Sequence, residues 1–168
     1  MSLSMYQASI PTFIHMLGSL STILGKAGAY AEAKKIDPKV LVNSRLAPDM
    51  LPLSFQVQIA SDVVKGCAAR LAGIQAPSFP DTEATLPELQ ARIAKTVDFL
   101  KSVSAAQIDG SEERTVTLKM GPQEVTFQGQ AYLLNFVIPN FYFHVSTAYA
   151  ILRHNGLDIG KQDFLGRR

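Results

Sequence analysis

Apolar positions recur along this chain at helical spacing in four long stretches and at strand spacing in one. From Tyr6 to Lys35, the residues Ile10, Phe13, Ile14, Leu17, Leu24 and Gly28 fall on one side of a helix. Pro11 is expected in its first turn or so, where a missing N–H is tolerated, and Ser9 is a candidate cap for a later start. From Leu53 to Leu71, the stripe is Leu53, Gln56, Val57, Ala60, Val63, Val64, Cys67 and Leu71, with Gln56 its one polar member and Gly73 its stop. The third helix opens at Thr85-Leu86-Pro87-Glu88, with Thr85 as N-cap and Glu88 near the positive helix end. It runs to about Val103 on Leu89, Ile93, Thr96, Val97 and Leu100.

Between the third and fourth helices the period changes. Residues 115–120 alternate polar and apolar, Gly121-Pro122 interrupts, and 124–127 alternate again, which predicts a small β-hairpin. The fourth helix begins near Gln128 and ends at Asn155-Gly156. Pro139 lies inside it, removes one backbone hydrogen bond and crowds the preceding turn, so a kink or bulge is expected there. The connection 37–52 is punctuated by proline, with one or two helical turns expected from Lys39 to Ser44. Ile159, Phe164 and Leu165 are expected to anchor the tail. The sum is an all-α single domain over residues 1–168, a four-helix bundle with a hairpin between helices three and four.

Composition narrows the function classes. A net charge of +2, with basic residues scattered apart from Lys34-Lys35 and Arg167-Arg168, gives no basic stripe and argues against nucleic acid as a partner. No apolar run approaches the roughly 20 residues that span a bilayer, so no membrane partner is expected. The single cysteine, Cys67, forms no disulfide within the chain and fits a cytoplasmic location. On its apolar stripe it reads as an inert buried thiol. No Ser-His-Asp set, phosphate loop or dinucleotide fingerprint is present.

The candidate chemistry lies on the fourth helix. Leu133, Val137, Asn140, His144, Ala148 and Ile151 share a stripe at about 100° per residue. Asn140 and His144, four residues apart, are therefore expected to point together into the core. Gln56 on the second helix is the polar core residue that would meet them, in a buried amide–imidazole network. Gln58 and Asp62, on another face of that helix, are further pocket or interface candidates. His154 reads as a favourable charge at a helix C-terminus, and His15 as a surface or interface residue. Tyr142, Tyr149 and Phe143 are candidates for an aromatic interface.

The order helix, long connection, helix, helix, hairpin, helix resembles the DinB/YfiT-like superfamily. The ending Ala148-Tyr149-Ala150-Ile151-Leu152-Arg153-His154-Asn155-Gly156, followed by residues 157–166, looks like a branch known only as a domain of unknown function. The resemblance covers nearly the whole chain and implies a bundle that is commonly dimeric. It also implies a divalent metal (zinc, nickel or iron) held by one histidine of the second helix and a His-x3-His pair of the last, with thiol transfer or hydrolysis as chemistry. His144 matches the second histidine of that pair. Asn140 replaces the first, and Gln56 stands nearest the third, with Gln58 the next choice. Two of three ligands are then neutral amides, poor ligands for zinc or nickel. The expectation is a small-molecule-binding or scaffolding homodimer with a degenerate metal site and no cofactor. The alternative is a divergent divalent-metal enzyme built on His144.

Overall fold

The computed structural model describes residues 3–167, apart from the side chain of Met120; Arg168, half of the terminal basic pair, lies outside this range. Helix α1 spans Met5–Lys34, α2 Pro38–Asn43, α3 Leu53–Ala72, α4 Leu86–Ser102 and α5 Ala105–Ile108. Strands β1 (Thr115–Met120) and β2 (Gln123–Gln128) follow, then α6 (Gly129–Ala131), a π-helical stretch Tyr132–Val137, α7 (Ile138–His154) and α8 (Lys161–Phe164). Helix α1 packs on α4, α4 on α3, α3 on α7 and α7 back on α1, which closes a four-helix ring. Phe13 and Phe141 meet edge-on across it, with ring centroids 5.2 Å apart.

Local sequence explains most of the element ends. Thr85 accepts from the Glu88 N–H while Glu88 reaches back to the Thr85 N–H, a reciprocal cap that satisfies two free donors. Gly73 closes α3 in the left-handed conformation at φ 68°. The start of α1 differs from expectation. Ser4 is the cap, through Gln7, so Pro11 falls well inside the helix. Ser9 is buried and its hydroxyl donates instead to the Met5 carbonyl at 2.6 Å.

Two further expectations change. By length and composition α1 is apolar enough to cross a membrane, although half of its most apolar window is buried inside the bundle. Scattered Ser, Thr and Gly interrupt its apolar runs but lower its mean hydropathy only slightly. The aromatic candidates are also less exposed than expected. Tyr142 and Tyr149 are half-buried, Tyr142 against Phe141 and Tyr149 against Phe164 of the tail, leaving Phe143 exposed. The tail docks as expected, with the exposed His15 ring nitrogen Nε2 2.8 Å from the Leu165 carbonyl.

The bulge expected at Pro139 takes the form of the π-helical stretch just before it. Proline cannot donate to the preceding turn, and one wider turn absorbs the mismatch. The hairpin lies over this stretch. Val116 pairs with Phe127 across the ladder. Phe127 packs on Tyr132 and Phe136 at centroid distances of 6.0 and 5.6 Å. Three aromatic rings thus hold the hairpin against the point where α7 begins.

Candidate functional site

Helices α3 and α7 run antiparallel, with Gln56 beside His144 at one end and Arg70 beside Tyr132 at the other. The candidate residues spread along this seam. His144 Nδ1 lies 2.7 Å from Gln56 Oε1. The Gln56 amide nitrogen donates to the Leu51 carbonyl at 2.8 Å. A carbonyl only accepts, so Leu51 fixes which way the amide points, and Gln56 presents its oxygen to the imidazole. The Nδ1 position therefore carries the proton, and the lone pair of the neutral ring is on Nε2. Burial pushes the His144 pKa below the ordinary histidine value, which favours that neutral form.

Asn140 does not join this pair. Its half-buried side chain forms no hydrogen bond among the described residues and lines a separate cleft one turn away. Neither Asn140 nor His144 reaches the core as expected. After the π-helical stretch the buried face of α7 runs through Phe141, Val145, Ala148 and Ile151, and the two polar residues lie on its flank.

Gln58 and Asp62 belong to a different constellation, away from the His144–Gln56 pair. Gln58 donates to Glu83 at 2.9 Å. Asp62 Oδ1 lies 2.7 Å from Lys65 Nζ and 2.9 Å from Arg92 Nη2. Arg92 is buried and also meets Asp81 and Glu83, at 2.9 and 3.1 Å. The Lys65 ammonium sits 4.3 Å above the Phe79 ring. The contacts of Asp62 Oδ1 are ionic rather than well-angled hydrogen bonds, and Arg92 Nε and Nη2 are likewise buried without one. This network ties the loop 76–85 to α3 and α4. Cys67 is inert, as expected: it is fully buried, and burial raises its pKa far above the ordinary thiol value.

The cleft next to Asn140 has a volume of about 350 Å³, at the lower end for a small-molecule site. Val63 of α3, Leu118 of β1 and Phe136 of the π-helical stretch supply apolar wall; Asp62, Arg70, Lys119, Tyr132 and Asn140 supply polar groups. A larger groove of about 510 Å³ separates α1 from the tail, with Lys26 and Asp163 among its lining residues. Those two neutralise each other in an ion pair.

A three-ligand metal site does not fit these residues. The oxygen of Gln56 supports the imidazole from behind, and Asn140 is not hydrogen-bonded to either partner. Among the described residues no group of three or more His, Cys, Asp or Glu side chains is placed to hold a metal. The donor set is one imidazole and two separated amides.

Fold and seam together define the class, a DinB-type helical bundle. The family described as "Domain of unknown function (DUF1993)" matches residues 5–165. The chain is also similar to the crystal structure of a DinB family member protein from Shewanella denitrificans. Identity is 42%, the match covers 97% of this chain and 92% of that one, and the TM-score is 0.87. The chain belongs to the DUF1993 family. No curated protein matches it.

Proposed function

We propose that this protein binds a small organic molecule in the cleft between α3, the hairpin and α7, without a metal. The cleft carries this reading: an apolar wall faces the Asn140 amide, which has no protein partner among the described residues, and such a mixture fixes the orientation of a bound molecule. The protein is further proposed to work as a homodimer. The exposed Leu51 and Phe55 at the start of α3 and Phe143 beside His144 supply apolar surface for a second copy. A thermal-shift screen of small polar–apolar compounds tests the first proposal. Hits are expected to stabilise the wild type and to lose their effect in Asn140→Leu, while a screen without hits sinks it. Sedimentation of the same sample reads the dimer, and a monomer at micromolar concentration overturns that part.

A second reading, a divergent divalent-metal enzyme, is favoured by one observation. Burial favours the neutral form of His144, the form that ligates a metal or accepts a proton, and its Nε2 lone pair has no partner among the described residues. Its test is elemental mass spectrometry on tag-free protein after incubation with zinc, nickel or iron(II). Near-stoichiometric metal that disappears in His144→Ala would establish this reading over the first. No retained metal is the expected result, and it removes the enzyme reading.

A further inference from the structure

We propose that the ligand of this cleft is an organic oxyanion, a carboxylate or phosphate whose head group sits on Arg70 and the Tyr132 hydroxyl and whose apolar body lies along Val63, Leu118 and Phe136. This rests on the reading of the cleft as a ligand site.

Arg70 is the first ground. Arg70 is exposed at the end of α3 and, like several other cations, forms no ion pair among the described residues. Its guanidinium is nevertheless held in place, because Nη1 donates to the Tyr132 phenol oxygen at 3.0 Å. It lies across Gly66, and the nearest atoms to a Cβ added there all belong to Arg70, which would have to move. Glycine at 66 leaves bare helix on which the guanidinium rests. An arginine positioned in this way and left without a counter-charge is suited to a planar oxyanion.

Tyr132 is the second ground. Its oxygen accepts from Arg70, and its own O–H proton goes to no acceptor among the described residues. Burial pushes its pKa up to about 12, so the phenol stays a donor. Lys119 adds positive charge from the hairpin wall, although Glu124 stands opposite it in the ladder, so Arg70 carries the larger share. Asp62, the acidic residue in the lining, is already matched by Lys65 and Arg92. It lies eight residues before Arg70, about 12 Å along the helix axis. The cleft is therefore polarised, with free positive donors at one end, apolar wall between, and a neutral amide at Asn140 near the other.

The test is calorimetric titration with a matched set of probes: octanoate, octyl phosphate, octylamine and octan-1-ol. At least one anion is expected to bind roughly tenfold or more tightly than the amine or the alcohol. Whichever anion is tighter identifies the head group. Arg70→Gln is expected to remove that advantage while leaving alcohol binding unchanged. Gly66→Ala should weaken anion binding by displacing the guanidinium, without lowering the thermal midpoint, a combination that a purely structural glycine would not produce. Amine or alcohol binding as tight as both anions, or an Arg70→Gln variant that binds anions normally, overturns the proposal. If none of the four probes binds while the compound screen gives Asn140-dependent hits, the oxyanion assignment fails and the cleft reading survives. If neither experiment shows binding, both fail.

Discussion

Phe141→Ala should destabilise the protein by about 4 kcal/mol, within the range for removing a fully buried phenylalanine. Phe141 is inaccessible to solvent and packs edge-on against Phe13, so it joins α7 to α1 across the centre of the ring. Removing it leaves a cavity that helices tied on both sides close only in part. For a chain of this size the melting temperature should fall by roughly 12 °C. Urea denaturation followed by circular dichroism reads the change directly. A loss below about 1 kcal/mol would mean that α1 and α7 slide together to fill the space, and that the ring is softer than its packing indicates.

Arg92→Ala is the second large effect, about 3 kcal/mol at neutral pH. The Arg92 side chain is 1% exposed, while its partners Asp62, Asp81 and Glu83 are 41%, 55% and 13% exposed. Water already screens the two aspartates, which places the loss at the lower end for a broken buried ion pair. Glu83 adds a pH signature. Burial acts to raise its pKa, but hydrogen bonds from Gln58, from its own backbone and from Arg92, together with the Arg92 charge, outweigh burial. Its carboxyl is thereby held below the ordinary value of 4.5. A depressed folded-state pKa stabilises above the unfolded value and loses that contribution as pH falls through the folded one. The gap between wild type and Arg92→Ala should be full at pH 7 and narrow in acid below about 4. A pH-independent gap would assign the loss to packing over Phe79 rather than to charge.

The legible parts of this chain were those set by neighbours in sequence. Thr85, Pro87 and Glu88 cap and open a helix here, Gly73 stops one, and the alternation around Gly121-Pro122 marks a hairpin. The stripes of α3 and α7 placed the right helices against each other, and Gln56 does meet His144. Asn140 was misplaced because Pro139 announces a bulge without saying where the wider turn will fall or how far it rotates the helix. Arg92 was missed because its burial depends on acids from another helix and from a loop. A signal was present: Arg92 stands on the stripe between Leu89 and Thr96, and an arginine among core positions requires carboxylates nearby. The burial of Lys65 was hidden because α3 is covered on several sides at once, and a one-face reading treats the remaining faces as solvent.

The π-helical stretch divides the α3–α7 seam into two parts that can change independently. Tyr132 and Phe136, within it, face Arg70 and the hairpin, whereas His144, after it, meets Gln56 near the start of α3. Deleting one residue within 132–137 would restore regular helix and rotate the earlier part by about 100° relative to the later one. That would carry Tyr132 away from Arg70 while leaving the Gln56–His144 pair in place. A single deletion at one of positions 133–135, without loss of any lining residue, is therefore enough to remodel this cleft on the same scaffold.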